Sequence, residues 1–579
     1  MIQIWPRAIE KHVLKFLNDR IWLKKRAVLI TDFPLALHCQ LGRTMTEQQI
    51  TSLFVTEMHA EQAIVDPVCH AKMLLLSGNY QSCLDFIQQQ ASDLLETSPQ
   101  LIIYHAAALL FCEEGPGNIN AVLNRAEKLD HTQSHTGEIA ALRAIISSYF
   151  KDPEEGIKQS KLALKLIKPG NTYFQHIVER NLGMAYTIKN DLGNATIWFE
   201  KLLMSGYQLE DWGSVLAAYN YLTYIRKVQG RLSEAETIYQ KSLRFINDHD
   251  VKQNPHTIKL LSGYGHLMLF WHRLDEAKSY LQKAIQLAGH SEILYAFTAH
   301  QNLCETYIRE GNLSTAHMLL DDLFQLIQTK SDFYAKVHLQ QANRLKSRLL
   351  IEEGHHEQAF DWLVTSGFDG VPPDELYERY GYELGLTLPI AARIYILNGL
   401  PEHAIQILRA VIPKFMHQSA NSYIIRSLTA LAVAYEQIGK DDLAVCAFSK
   451  AVALAKLDNN QGDFLLMGQS LLPLINLYEN KNGHQGFLTN IRNILHTNLQ
   501  NQAKSVIKSC SDNLLSQRES DVLQLIAKGL TNKQIGEVLF LSSNTIKSHR
   551  SNIYRKLRAE NRIQAISQAK NMGVLTGAP

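Results

Sequence analysis

The feature that most restricts the fold of this chain is a helix-interrupting residue about every 40 positions, followed in most cases five positions later by alanine. The interrupting residues are Gly78, Gly115, Asp152, Asn190, Gly230, His272, Gly311, Gly354, Gly399 and Gly439, spaced by 37 to 45 positions. From Asn190 onward the alanines are Ala195, Ala235, Ala277, Ala316, Ala359, Ala404 and Ala444, and a large apolar residue follows each by four positions: Phe199, Tyr239, Leu281, Leu320, Leu363, Leu408 and Phe448. Such a period predicts stacked helical hairpins, because one short hairpin cannot bury its own apolar face.

Each repeat predicts two helices joined at the interrupting residue. The first helix ends there, a short turn follows, and the alanine of the second helix lets the two backbones approach closely. The large apolar residue one turn later then fills the space between neighbouring hairpins. First helices carry their own pattern, as in Leu303 and Tyr307, whose spacing of four places both on one helix face.

This pattern resembles tetratricopeptide repeats, and Gly311-Asn312-Leu313 stands where that family turns, although the period exceeds the usual length of about 34 residues. Over roughly residues 69–480 the longer unit resembles the sensor arm of the large maltose-regulator class of transcription activators. The resemblance implies a superhelix whose concave groove is lined by the first helices. Counting back from each interruption gives the effector-groove candidates Arg180, Asn181, Asn220, His266, Gln301, Asn302, Glu305, Arg344, Arg348 and Arg393. For each of them a solvated helix face is the alternative.

The last part of the chain has a different pattern, that of a small domain of short helices. Ser516 and Glu519 form a predicted capping box at the start of the first helix. Thr531 is a candidate N-cap of a second helix, and Ser542 or Ser543 of a third. The short turn between the second and third helices predicts a helix-turn-helix motif.

Charge separates this tail from the rest of the chain. Residues 511–579 contain ten Lys and Arg against five Asp and Glu, a formal charge of +5, whereas residues 1–510 carry −3. Between Glu537 and Glu560 there is no acidic residue. The third helix has its apolar residues on one side, so the opposite side presents Ser548, Ser551 and Arg555. A basic helix face of this kind fits the major groove of DNA.

These segments closely resemble the LuxR-type DNA-binding domain. The matching residues are Leu515, Arg518, Glu519, Val522, Leu523, Leu525, Ile526, Ala527, Gly529, Thr531, Asn532, Lys533, Ile535, Leu539, Ser542, Thr545, Ile546, Lys547, His549, Ile553, Lys556, Leu557, Asn561, Arg562 and Ala565. The resemblance implies base reading by Lys547, Ser548 and Ser551. It implies phosphate contacts from Thr531, Lys533, Thr545, Arg550, Arg555 and Lys556. It also implies a fourth helix, Arg562 to Met572, through which such domains dimerise on two half-sites about one helical turn apart.

These patterns divide the chain into four parts. Residues 1–65 are predicted to be a mostly helical segment without an assigned role, and residues 66–482 the repeat superhelix. Residues 483–510 are predicted to be a linker suited to a mobile tether, with one helical piece near Leu488 to Val506. Residues 511–579 are the DNA-binding domain. The predicted fold class is all-α: a superhelical array of helical-hairpin repeats followed by a four-helix LuxR-type helix-turn-helix domain.

Several function classes receive no support. No stretch approaches roughly 18 consecutive apolar residues, and the start lacks the order of a signal peptide, so we expect a cytoplasmic protein. The seven cysteines form no Cys-x-x-Cys pair, which favours reduced thiols over disulfides or a zinc site. The maltose-regulator class begins with an ATPase module, but the only Gly-Lys pair here, Gly439-Lys440, lies inside a repeat. Because hydrolase, metalloprotease and kinase motifs are also absent, we expect neither an enzyme nor a bound cofactor.

Together these features predict a sequence-specific transcription regulator. Its array would bind a small-molecule or protein effector and thereby change the dimerisation or exposure of the DNA-binding domain. The expected partners are double-stranded DNA, a second copy of the chain on that DNA, RNA polymerase and the effector, with no membrane. The alternative is an interaction scaffold that docks or sequesters protein partners, with DNA contact secondary. Salt dependence distinguishes the two, since a protein that neutralises several phosphates loses affinity steeply as salt rises.

Overall fold

The fold is that of a computed structural model, which describes residues 66–76, 78–90, 97–112, 114–150, 152–289, 293–328, 332–511, 515, 517–539, 541–557 and 559–571. The chain divides into two compact units, residues 1–73 and residues 74–579. The N-terminal segment predicted to be mostly helical, residues 1–65, lies outside the described residues. Those that are described form helices and turns and no strand, which confirms the all-α fold class.

The helices are α1 Pro67–Leu76, α2 Tyr80–Gln88, α3 Pro99–Phe111, α4 Pro116–Leu129, α5 Thr136–Phe150, α6 Pro153–Leu166, α7 Thr172–Ile188, α8 Leu192–Gln208, α9 Trp212–Val228, α10 Leu232–Asp248, α11 Pro255–Phe270, α12 Leu274–Ala288, α13 Ile293–Glu310, α14 Leu313–Gln328, α15 Asp332–Glu352, α16 His356–Thr365, α17 Leu376–Tyr380, α18 Leu384–Leu397, α19 Pro401–His417, α20 Asn421–Gln437, α21 Asp441–Lys456, α22 Leu471–Asn482, α23 Gly486–Ser511, α24 Gln517–Ala527, α25 Asn532–Leu539, α26 Ser543–Lys556 and α27 Arg562–Asn571. Short 3-10 segments, Gly381–Glu383 and Phe464–Ser470, precede α18 and α22. The extra helix α17 lies inside the longest predicted repeat spacing.

The predicted interruptions are the turns between paired helices. Eight of the ten have a positive φ, the left-handed conformation that ends helices: Gly78, Asn190, Gly230, His272, Gly311, Gly354, Gly399 and Gly439. Gly115 and Asp152 instead have extended backbones and precede α4 and α6 as N-caps. At Gly311 its amide donates to Ile308 O at 3.1 Å, and the Asn312 amide donates to Tyr307 O at 2.9 Å. This pair of bonds is a Schellman motif, and it recurs at every interruption from Asn190 onward.

The alanines and the large apolar residues occupy the predicted places between helices. All seven alanines are fully buried, and the seven large residues that follow them are at most 3% exposed. The first helices come equally close: a Cβ added at Gly183 of α7 would lie 2.6 Å from the Phe199 ring of α8. Because such a contact is shorter than van der Waals packing allows, glycine is required where this hairpin closes.

Repeats that are far apart in the sequence touch each other across the superhelix. The hydroxyls of Tyr224 and Tyr423, 199 positions apart, lie 3.1 Å from each other. The Trp271 indole donates to Asp458 O at 2.8 Å across 187 positions, and the Leu232 amide donates to Asp458 Oδ2 at 2.8 Å across 226 positions. Since these contacts bridge the inner side of the array, part of the expected concave groove is closed by protein.

The predicted linker begins as part of the array. Helix α23 starts at Gly486, and its apolar residues Leu488, Ile491 and Leu495 are at most 2% exposed. These side chains belong to the same core cluster as the last repeats. The sequence predicted a mobile tether for residues 483–510, and burial of these three side chains corrects that prediction for the first half of the segment.

Two further observations concern cysteines and membranes. Within the described residues Cys69, Cys83, Cys112, Cys304 and Cys446 form no disulfide. Cys83 and Cys304 are buried, whereas Cys446 is exposed. None of the helices that the structure describes combines the length and the apolar character needed to cross a lipid bilayer.

Candidate nucleic-acid interface

The last four helices, α24 to α27, close around a small apolar core of their own. Its buried members include Val522, Leu523, Ile526, Ile535, Ile546, Ile553, Leu557, Ala565 and Ala569. The turn from α25 to α26 depends on Gly536, where an added Cβ would lie 2.5 Å from Leu541 O. This close approach holds the two helices of the helix-turn-helix motif together.

Side-chain caps fix where the second and third of these helices begin. Thr531 and Gln534 cap α25 reciprocally: the Thr531 amide donates to Gln534 Oε1 at 2.9 Å, and the Gln534 amide donates to Thr531 Oγ1 at 3.3 Å. At the start of α26 the Thr545 amide donates to Ser542 Oγ at 3.0 Å. The predicted caps Thr531 and Ser542 are thus confirmed, and the orientation of α26 is set by local hydrogen bonds.

The three residues predicted to read bases share the exposed side of α26. Lys547, Ser548 and Ser551 are all exposed, and Arg555 follows Ser551 by one turn on the same side. Ile546 and Ile553 point the other way, into the core. This side of the helix therefore presents two cationic and two small polar side chains to solvent, a surface that a DNA groove can approach without steric conflict.

The six residues predicted to contact phosphates differ in their exposure and in whether another group of the protein already binds them. Lys533 and Arg555 are exposed, and Arg550 lies over the Tyr554 ring, with Cζ 5.8 Å from its centroid. Lys556 is engaged: its ammonium lies 2.6 Å from Glu519 Oε2, and Glu519 is only 4% exposed. A buried carboxylate needs such a partner, so Lys556 joins α26 to α24. The sequence pattern marked Lys556 as basic but gave no sign of this pairing.

The fourth domain helix, α27, exposes an aliphatic residue. Ile563 is 81% exposed, whereas Ala565 and Ala569 on the other side of the helix are buried in the domain core. Arg562 ties the start of this helix to α24 through a hydrogen bond to Ile526 O. The exposed side of α27 is thus apolar at its first turn while the helix itself is firmly attached.

The domain also contacts the repeat array at the beginning of α26. The hydroxyl of Thr545 donates a hydrogen bond to a carboxylate oxygen of Asp322 in α14. Met318, one turn earlier on α14, is 6% exposed and packs into the core of the small domain. Burial raises the pKa of Asp322 to about 6, although the Thr545 hydrogen bond opposes this shift. The Asp322 carboxyl group thus lies at the N-terminus of α26, and its burial there outweighs the hydrogen bond that favours the ionised form.

The effector-groove candidates do not meet in one site. Asn181 is buried and donates to Ser148 Oγ at 3.1 Å and Ser160 Oγ at 2.9 Å. Arg348 and Arg344 are paired with carboxylates, at 2.6 Å from Glu305 and 2.9 Å from Glu383 respectively. Gln301 and Arg393 likewise bind Gln341 and Glu352. Counting from the interruptions therefore selected many side chains that stabilise the closed inner side of the array.

The surroundings of the candidates differ in ways that the sequence did not indicate. His266 Nδ1 lies 3.5 Å from Lys227 Nζ, and burial lowers the pKa of that lysine to about 7. Arg180 and Arg348 line two separate cavities. Asn220 and Asn302 are half-buried, and their carbonyl oxygens accept from Thr223 and Thr306 within their own helices.

Comparison with known protein families agrees with both parts of this architecture. The family model of the MalT-like TPR region matches residues 137–481, which is more than half of the chain. The family model of bacterial regulatory proteins of the luxR family matches residues 513–569. The second match covers all four helices of the small domain apart from the end of α27. The chain therefore belongs to the family that has a MalT-like TPR region, and it ends in a regulatory domain of the bacterial luxR family.

Proposed function

We propose that this protein is a cytoplasmic, sequence-specific transcription regulator that binds double-stranded DNA through α26. The observation that carries the proposal is the exposed side of α26, where Lys547, Ser548 and Ser551 stand together in a luxR-family domain. Lys547 is the main specificity contact, since an ammonium group can bond to guanine O6 and N7. The two serines have short side chains and reach few base edges.

Phosphate contacts orient the domain on the duplex. Lys533 and Arg555 are exposed on either side of the recognition surface, and Arg550 is held over Tyr554. Thr531 and Thr545 stand in or next to the first turns of α25 and α26, where amides also favour phosphate. Lys556 contacts a phosphate after its ion pair with Glu519 breaks, or it attracts DNA through its charge alone. Its contribution to DNA affinity is therefore smaller than that of Lys533.

A second copy of the chain completes the complex on DNA. The support for this step is the exposed Ile563 of α27, the helix that the luxR family uses for dimerisation. Two domains related by twofold symmetry would read half-sites about one helical turn apart. RNA polymerase is the further partner through which a bound regulator changes transcription.

The array controls this domain by holding or releasing it. In the held arrangement the Asp322 carboxylate occupies the N-terminus of α26 and takes the hydroxyl of Thr545, a proposed phosphate contact. A DNA phosphate cannot occupy the same place, and two anions there repel each other. An effector that binds the array better in the released arrangement would shift the population toward DNA binding.

The deciding experiment is genome-wide DNA occupancy of the full chain. It compares the wild type with a Lys547→Ala, Arg555→Ala variant and with a control variant, Lys158→Ala, Arg244→Ala, that removes two exposed cations from the array. We expect discrete sites for the wild type and the control, and their loss in the α26 variant. The genes beside those sites would identify the regulated process.

Two outcomes oppose the proposal. Sites that persist in the α26 variant would mean that another surface binds DNA. No enriched site for the wild type under several growth conditions would favour the interaction scaffold, in which the array docks protein partners and DNA contact is secondary.

A further inference from the structure

We propose that the array contains a binding site for a small oxyanion, a carboxylate or phosphate group, in the cavity lined by Arg180. This cavity lies among the first turns of α2, α9 and α11, the first half of α7 and the end of α3. It is partly open and holds about 50 Å³. This volume exceeds the need of one water molecule, so a compact polar head group has room to enter.

Arg180 brings a positive charge to the cavity without an acidic partner. No carboxylate of the described residues lies within 4 Å of its guanidinium, and its electrostatic neighbours are tyrosines, with Tyr80 and Tyr173 among them. The guanidinium lies over the Phe111 ring, with Cζ 4.8 Å from the centroid. The guanidinium is half-buried and therefore partly desolvated, and an anion that pairs with it would offset this cost.

Three buried arginines of the array have the carboxylate partner that Arg180 lacks. Arg348, Arg393 and Arg426 each have a carboxylate oxygen within 2.6 Å. These pairs complete the inner side of the superhelix. Arg180 is half-buried and has no carboxylate partner among the described residues, and its planar guanidinium is well suited to bind a carboxylate or phosphate in bidentate geometry.

Three more polar atoms in the cavity wall have no hydrogen-bond partner among the described residues: Tyr173 Oη, His176 Nε2 and His256 Nδ1. His176 is only 3% exposed. Burial lowers the pKa of His256 well below its usual range, so this ring is neutral and can donate one hydrogen bond. Burial raises the pKa of Tyr173 well above its usual range, so its hydroxyl keeps its proton and can donate as well. The Tyr173 hydroxyl and the His256 ring are orphaned donors beside a cation without a carboxylate partner, and such a set indicates an anionic ligand.

The one carboxylate in the cavity wall, Asp211, is directed elsewhere. Its Oδ2 lies 2.6 Å from His176 Nδ1 and 2.6 Å from Ser214 Oγ, and its Oδ1 accepts from the Ser214 amide at 3.0 Å. Burial alone would raise its pKa, but these hydrogen bonds lower it. Asp211 is therefore the ionised N-cap of α9. Its oxygens are engaged by His176 and Ser214 and do not neutralise Arg180.

An anion held here would connect two first helices of the array, because Tyr173 and Arg180 belong to α7 and His256 to α11. Only the description of this anion as an effector rests on the proposed regulatory function. Binding itself depends on the cavity alone.

Isothermal titration calorimetry on the full chain tests the site. The probes are sodium benzoate, sodium acetate and sodium phosphate at one total ionic strength, with benzamide as the uncharged counterpart of benzoate. We expect saturable binding of at least one anion and none of benzamide. Benzoate or acetate binding assigns a carboxylate, and phosphate binding assigns a phosphate.

Two variants locate the binding in the cavity. Arg180→Gln should weaken it at least about tenfold, and Tyr173→Phe, which keeps the ring volume, about threefold to tenfold. Arg244→Gln, an exposed position on α10, is the matched control and should leave binding unchanged. If Arg180→Gln does not fold, as judged by circular dichroism, Tyr173→Phe carries the test.

Equal binding of benzoate and benzamide, anion binding that survives both cavity variants, or no saturable binding of any of the three anions overturns the inference. The outcome is independent of DNA. Anion binding by a chain without genomic sites would refute the regulator proposal alone, and genomic sites in a chain that binds no anion would refute only the cavity.

Discussion

The hydroxyl of Thr545 donates to the carboxylate of Asp322, although the two residues are 223 positions apart in the sequence. Thr545 stands in the first turn of the recognition helix, and Asp322 on the second helix of a repeat. The array thus places a carboxylate at the helix end that we propose contacts a DNA phosphate. This contact links the two matched regions through a single polar group with Met318 packed beside it.

Removing the Asp322 carboxylate should strengthen DNA binding. In the Asp322→Ala variant the hydroxyl of Thr545 and the start of α26 become available to phosphate. A hydrogen bond to a charged group contributes about 1.5–3 kcal/mol, so we expect affinity for a bound genomic site to rise between about tenfold and about a hundredfold. Fluorescence anisotropy with a labelled duplex measures this change.

The neighbouring Asp321→Ala variant is the matched control, because Asp321 is exposed on the same helix and also carries one negative charge. A gain in affinity of the same size in both variants would assign the effect to net charge. No gain in Asp322→Ala would mean that the contact does not restrain the DNA-binding domain.

The pKa of Asp322 predicts a pH dependence of this restraint. Burial raises the pKa to about 6, so the docked state holds the proton more tightly than a carboxyl group in water does. Docking is therefore favoured at low pH and weakens as the pH rises through about 6. Asp321 raises the pKa further and Arg518 lowers it.

We expect the DNA affinity of the wild type, divided by that of Asp322→Asn, to increase between about pH 5 and pH 7. The ratio cancels other titrating groups such as His549, which both proteins share. A constant ratio across this range would show that the Asp322 proton is not coupled to docking.

Much of the array could be predicted from the sequence because its signals are local. A left-handed residue at Gly311 ends a helix within one turn, and Ala316 five positions later is buried against the same hairpin. The paired helices, their turns and the small C-terminal domain all follow from such short-range patterns. Family matches over residues 137–481 and 513–569 agree with them.

Long-range contacts could not be predicted from those patterns. No sequence pattern around Lys189 indicates that its carbonyl oxygen accepts a hydrogen bond from the Gln418 side chain, which lies 229 positions away in the sequence. The donor and acceptor atoms are 3.3 Å apart. The contacts on the inner side of the superhelix were not predictable either. Arg348 and Asn181 were groove candidates, but they are buried and bind Glu305 and two serines, respectively. Of the candidate DNA interface, the caps and the exposed side of α26 were predictable, whereas the Asp322 contact and the pairing of Lys556 were not.

One helix of the array has its N-terminus capped by a residue from a distant repeat. Helix α10 has Arg231 at its N-cap position, and that side chain makes no capping bond. Asp458 takes the role instead, accepting from the Leu232 amide at 2.8 Å and the Ser233 amide at 3.4 Å. Loss of an N-cap costs about 0.5–2 kcal/mol.

In the Asp458→Ala variant, amide hydrogen exchange at Leu232 and Ser233 should accelerate about twofold to thirtyfold, as followed by mass spectrometry of peptides from this turn. Asp458→Asn keeps one accepting oxygen and should show a smaller change. Unaltered exchange in Asp458→Ala would mean that the distant repeat does not stabilise this helix end.

Lys547 and Lys533 should have separable effects on DNA binding. Lys547→Ala removes a proposed base contact, so we expect a loss of about 1–3 kcal/mol on a site found by genomic occupancy and little loss on an unrelated duplex. Lys533→Ala removes a proposed phosphate contact and should weaken both duplexes alike, with the slope of log affinity against log salt reduced by about one. Lys528→Ala, another exposed cation of the same domain, is the control. If all three variants lose the same affinity on both duplexes, the domain attracts DNA through net charge and α26 does not read bases. A loss confined to the specific site in Lys547→Ala would identify this lysine as a residue that discriminates sequence.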